Sequence, residues 1–249
     1  MATSSAGLAS PVPIPGNLDS LFGRLTGLIH SPRATLDVVI GTPRWAGVMA
    51  VTFVVTAVFS AMLLGTEVGQ LALLDQWERT AIAFGQNVTD AQYAALEEAS
   101  RNGVAYAVLS ALAGGPVLTF ALSLLLYGIF TVALHGSGAY KQVLAIAAHA
   151  QVVLALRQVI ATPVNYARET LASPTTATVF FGMLDEASPA ARFLGVIDLF
   201  VVWWIVILAT GMSLLYGQRQ RTFTFAFIST YVVLALLLVA VMAVTGGTT

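Results

Sequence analysis

The chain has 249 residues, of which 57% are hydrophobic and 9% charged, against roughly 25% charged residues in soluble domains. Its net charge of −1 excludes the basic footprint of a nucleic-acid binder, and its lack of cysteine excludes disulfides, thiolate catalysis and cysteine-based metal sites. A chain this long without a charged shell reads as a polytopic membrane protein.

Residues 1–16 have neither a basic n-region nor an apolar h-region, so no cleavable signal peptide is expected. They read as a disordered tail rich in Ser, Pro and Gly. Residues 17–44 predict two short helices. In the first, Leu18, Leu21, Phe22, Leu25, Leu28 and Ile29 recur on one face, with Asn17 or Asp19 as cap. Ser31-Pro32 opens the second as N-cap and first helical residue, and Gly41 and Pro43 end it. Both are too short and polar to span. They suit amphipathic helices in the cytoplasmic interface anchored by Leu21, Phe22 and Leu25, or helices docked on the protein's own cytoplasmic face.

The remainder, 45–244, predicts five spans, at about 45–64, 104–134, 142–160, 193–217 and 225–244. The fold class is therefore all-α. Between the first two spans lies an acidic extracytoplasmic insert, 65–103. There Val68, Leu71, Leu74, Trp77, Ala81 and Phe84 approximate one helical face, and Thr89 with Gln92 forms a capping box. Gly114-Gly115-Pro116 predicts a kink in the second span, since proline removes a backbone donor and crowds the preceding turn. Ala107, Ala111, Gly115, Thr119 and Ser123 form a small-residue stripe that lets helices approach closely. The third span is expected to end at Thr162-Pro163. A polar connection, Asn165 to Arg192, carries FFGML as an apolar island.

An odd number of spans puts the termini on opposite sides. With the N-terminus cytoplasmic, six basic residues (Arg24, Arg33, Arg44, Lys141, Arg219, Arg221) lie inside, and four (Arg79, Arg101, Arg168, Arg192) lie outside. That bias gives an N-in, C-out topology. Arginine's excess over the single lysine hints at a bacterial genome, hence a bacterial cytoplasmic membrane.

Asp198 falls inside the apolar run 193–217, where an acid costs about 2.5–3.5 kcal/mol on insertion scales. Counting from the outer ends of their spans, Arg157 and Asp198 lie at matching depths, roughly 10 and 8 Å. They are expected either to pair in the outer half of the bundle or to snorkel separately to its edge. His149 shares a helix face with Arg157, and with Gln151 it forms a candidate polar or pH-sensitive site.

Catalytic signatures are missing: no H-E-x-x-H, no G-x-S-x-G, no phosphate loop and no acidic pair of intramembrane-protease type. Ser137 in His135-Gly136-Ser137-Gly138 is explained by turn chemistry. No catalytic residue, metal ligand or cofactor is expected.

The segment LFGRLTGLIHSPRATLDVVIGTPRW and the later IDLFVVWWIVILATGMSLLYG resemble the corresponding parts of bacterial Yip1-domain proteins. The resemblance covers roughly Leu18 to Val244. It implies a compact five-helix membrane domain with a cytoplasmic N-terminus and no assigned reaction. Eukaryotic members are associated with Rab GTPases and vesicle traffic, but the D-L-Y-G-P segment of that branch is missing, so Rab binding does not carry over. The expected function is non-enzymatic: organising membrane or binding a membrane-protein partner or a second copy. The alternative is a small transporter or lipid-handling protein using the His149, Arg157 and Asp198 face. Membrane lipids are the remaining expected partner, and nucleic acid is not one.

Overall fold

The structure, a computed structural model, describes residues 18–181, 183 and 188–245. The predicted tail, 1–16, and the candidate cap Asn17 lie outside them. Eleven α-helices run in chain order among the described residues. Five stretches are long and apolar enough to cross a membrane: Ala46–Leu64, Gly103–Ala133, Tyr140–Ala167, Leu199–Tyr216 and Gln220–Thr245.

The two short N-terminal helices are α1 (Leu21–His30) and α2 (Pro32–Gly41). Ser20 caps α1 in place of Asn17 or Asp19, its hydroxyl accepting from Gly23 N at 3.0 Å. A Cβ on Gly27 would meet Thr35 and Leu18, so glycine lets α1 lie close against α2. Leu18, Leu28, Leu36 and Val39 are buried, and Leu21 and Leu25 pack on the same core. Two members of the predicted apolar face turn the other way: Phe22 is 75% exposed and Ile29 39%. Arg24 takes the inward position instead. Its long side chain reaches along the helix to give hydrogen bonds to the carbonyls of Ser20 (3.4 Å) and Arg44 (3.2 Å). Gln142 Nε2 donates to Ile40 O at 3.1 Å and ties α2 to the third span.

The first span, α3 (Ala46–Leu64), leads to α4 (Glu67–Ala83) and α5 (Asp90–Ser100). Thr89 and Gln92 form the reciprocal capping box at the start of α5. The inward face of α4 is Gly69, Ala72, Leu73 and Leu74, whereas Leu71 is exposed. Gly69 sets that rotation, because a Cβ there would strike the backbone of Leu63.

The second span comprises α6 (Gly103–Leu109), a π turn (Ser110–Gly114), α7 (Gly115–Tyr127) and a second π turn (Gly128–Ala133). The first π turn sits directly before Gly115-Pro116. Gly115 N–H reaches back to Ser110 O, so the widened turn absorbs the proline without stopping the helix. Gly115 faces α3, where a Cβ would overlap the ring of Phe53. Thr119 and Ser123, further along the small-residue stripe, are fully buried.

The third span is α8 (Tyr140–Ala167), and it continues past Thr162-Pro163 rather than ending there. Proline deletes one backbone bond near the helix end, while Ala161, Thr162 and Asn165 stay buried on the far side of it. Packing thus holds the last turn. After it come α9 (Pro189–Val196), α10 (Leu199–Tyr216) and α11 (Gln220–Thr245). The predicted fourth span, 193–217, is therefore two helices with a break at Ile197-Asp198. Gly217, with φ 64°, ends α10 in the left-handed conformation, and α11 begins five residues earlier than expected.

α8 is the central helix. In its most apolar window 61% of residues are buried, against 11% for α11. It packs against α3, α7, α10 and α2 around Ile146, Ala147, Ala150, Val153, Ile207 and Met212. Gly211 makes the α8–α10 approach possible, since a Cβ there would collide with Ile146.

Candidate functional site

Polar groups converge most densely where α8 nears its end, α10 begins and the connection 173–178 crosses between them. Asp198 is the N-cap of α10, so it stands just before the span rather than within it. Capping satisfies backbone N–H groups that the start of α10 would otherwise leave without a partner, which offsets part of the insertion cost expected for an acid among apolar turns. Its Oδ1 accepts from the backbone N–H of Phe200 (2.8 Å) and Val201 (3.4 Å), as a capping carboxylate does. Its Oδ2 accepts from Ser173 Oγ at 2.6 Å and Thr175 Oγ1 at 2.9 Å. Arg157 Nε stands 3.1 Å from the same oxygen. That nitrogen makes no hydrogen bond, so its N–H is poorly aligned and the attraction is coulombic.

The backbone closes the arrangement. Leu199 N donates to Thr175 O (3.0 Å) and Ala177 N to Ile197 O (2.8 Å), in a short antiparallel bridge between Thr176 and Asp198. Tyr231 of α11 donates its hydroxyl to Val196 O and accepts from Asp198 N at 3.3 Å. Burial pushes the Asp198 carboxyl up. Ser173, Arg157, Thr175 and the Phe200 N–H outweigh that and hold it below the ordinary carboxylate range. The carboxylate thereby joins α8, the 173–178 connection and α10, and Tyr231 ties the adjoining backbone of α9 and Asp198 to α11.

His149 lies in the interior, fully buried. Its Nδ1 is 2.7 Å from Ala145 O, and because a carbonyl only accepts, Nδ1 carries the proton. Nε2 is then an acceptor, and it has no partner among the described residues. His149 and Arg157 are eight residues apart on α8, roughly 12 Å along its axis. No hydrogen bond joins His149 to Arg157 or Asp198 among the described residues. Gln151 turns to α7 and donates to Thr119 Oγ1 at 3.2 Å, while Thr119 in turn donates to Gly115 O at 2.9 Å. The expected three-residue polar face is thus split. Arg157 and Asp198 meet at one end, and further along His149 bonds within α8 and Gln151 bonds to α7.

A family model of the Yip1 domain matches residues 26–242. The chain belongs to the Yip1 domain family. The match takes in the first four spans, most of the fifth, and the residues Gly114, Gly115, Pro116, His149, Gln151, Arg157 and Asp198. It begins after Leu21, Phe22 and Leu25, so the expected interfacial anchor precedes the matched part of the Yip1 domain. Comparisons with curated proteins and with solved structures give no match.

Ser173, Thr175 and Tyr231 are the members of the Asp198 cluster in this Yip1 domain that the sequence reading left out. Ser173-Pro174-Thr175-Thr176 has the hydroxyl density of a capping or anchoring segment, which was the one available signal. Nothing in its spacing names a carboxylate more than twenty residues away. Among the described residues, no group of three or more His, Cys, Asp or Glu could hold a metal ion.

Proposed function

We propose that this Yip1-domain protein is a non-enzymatic organiser of a bacterial cytoplasmic membrane, acting by binding membrane-protein partners or a second copy of itself. The observation that carries this reading is the close-packed interior. The length of α8 from Val143 to Ala150 is buried without interruption. Cavities open elsewhere, beside the α10–α11 turn (Tyr216, Phe223), along α2 (Arg33, Asp37), on the insert (Trp77, Phe84) and beside the 173–178 connection (Arg168, Arg192). None of these is lined by His149, Gln151, Arg157 or Asp198.

The N-terminus is cytoplasmic and the C-terminus extracytoplasmic in this reading, on the six-to-four distribution of basic residues. Leu21 and Leu25 clamp α1 to the core, and Phe22 inserts among the headgroups. Reconstituted into liposomes with an internal pH indicator, the full chain should give no proton flux above that of empty vesicles. A photoreactive residue at Phe22 should give discrete protein adducts in native membranes. Proton flux abolished by His149→Leu would refute the reading in favour of a small transporter.

A further inference from the structure

A second polar cluster adjoins the 173–178 connection and shares Ser173 with the Asp198 cluster. Arg79 of α4, Arg168 just past α8 and Arg192 of α9 line one cavity of about 430 Å³, within the roughly 300–1,000 Å³ typical of ligand sites. Ser173, Thr176 and Thr178 keep its wall polar. Asp75 engages Arg79 through two bonds, at 2.6 and 2.9 Å, so anion-binding capacity rests on the other two guanidiniums. Neither Arg168 nor Arg192 has an ion-pair partner among the described residues, although Arg192 Nη1 donates to Met242 O at 3.4 Å. The nearby charge of Asp198 is matched by Arg157 and does not cancel them.

The rim of this cavity is apolar and outward-facing. Val179 is 51% exposed, Phe180 79% and Phe181 54%. Arg168 follows the last turn of α8, and Arg192 lies one short helix before α10, so both stand at the level where spans meet headgroups. Planar guanidiniums bind phosphate oxygens two at a time. Aromatic side chains beside them would enter the acyl boundary next to a bound headgroup. We infer that the Arg168–Arg192 cavity binds the phosphate diester of an anionic glycerophospholipid, with Phe180 and Phe181 resting among its acyl chains. This site goes beyond the organising role and does not depend on it.

The test uses the full chain in non-ionic detergent, with retained lipid read by native mass spectrometry. Phosphatidylglycerol should be retained at least about tenfold better than phosphatidylcholine of the same chains, since the latter's headgroup has no net charge. R168Q/R192Q should weaken phosphatidylglycerol retention about thirtyfold, from about fivefold for each charge lost near an anionic surface. R219Q/R221Q, in the α10–α11 turn, should leave it unchanged. Should the double variant not be recovered folded, R168Q and R192Q singly, each about fivefold weaker, decide the matter in the same way. Equal retention of the two lipids, or undiminished retention by the arginine variants, overturns the assignment. Displacement of the lipid by millimolar inorganic phosphate would give the cavity to a free anion and overturn it as well.

Discussion

Asp198→Ala should be far more damaging than Arg157→Gln, although the two side chains face each other. The Asp198 side chain is 4% exposed, and its oxygens serve two backbone N–H groups and two hydroxyls. Loss of the cap alone costs about 1 kcal/mol. The two hydroxyls lose charge-assisted bonds of about 1.5–3 kcal/mol each, of which roughly half is recovered when they turn to other acceptors. Together these give about 2.5–4 kcal/mol. Arg157 is 34% exposed with its Nε–H misaligned. Its share must be discounted for solvent screening, to about 1 kcal/mol or less. The symmetric cost of about 3–5 kcal/mol expected for a dry pair therefore does not apply. Titration from mild detergent into SDS, followed by tryptophan fluorescence, measures both variants and the double mutant. A loss below about 1 kcal/mol for Asp198→Ala would refute the reasoning. So would an Arg157→Gln loss as large as that of Asp198→Ala.

The depressed Asp198 carboxyl makes a pH prediction whose sign is fixed. The acid contributes stability above its unfolded pKa of about 3.9 and loses it as pH falls through the lower folded value. The stability gap between wild type and Asp198→Asn should therefore stay constant from pH 7 to about pH 4 and narrow only below that. Gly115→Ala forces a methyl into the Phe53 ring and should cost about 1–3 kcal/mol, less on a Phe53→Leu background, by the same titration. His149→Leu removes an unpartnered buried nitrogen at similar volume and should lie within about 1 kcal/mol of wild type.

Hydropathy made the five spans legible, because no other reading of so few charges survives in water. The capping box at Thr89 was legible too, since its signal is local: two side chains three residues apart. Asp198 reads as a mid-helix acid, although it stands beside Arg157 as expected, because the apolar run hides a helix break. Residues of α9 such as Phe193 and Leu194 are as hydrophobic as those of α10, and only the extended Ile197-Asp198 pair separates them. The rotation of α1 was hidden for another reason. Gly23 and Gly27 carry no apolar side chain to mark a face, yet both are buried, and Thr35 and Leu18 fill the space a Gly27 side chain would need. That pushes Phe22 outward. Long-range partners such as Tyr231 leave no mark at helical spacing at all.

The placement of these polar contacts answers a problem that apolar packing leaves open. Lipid tails are as apolar as leucine, so a helix such as α11, with 11% of its apolar window buried, gains little from hydrophobic burial against its neighbours. Its position is fixed instead near its ends and at one mid-helix hydroxyl. Gln220 donates to Thr210 Oγ1 at 2.8 Å at one end. Arg192 of α9 donates to Met242 O at 3.4 Å near the other. Between them Tyr231 holds the junction of α9 and α10 by Val196 O and Asp198 N. Three polar contacts at different heights set both the tilt and the rotation of α11, which its uniform apolar surface alone would leave free. Asp198 caps α10 and also orients the segment that Tyr231 grips. Removing it should therefore loosen α11 as well as α10, making that helix the first to exchange its amides.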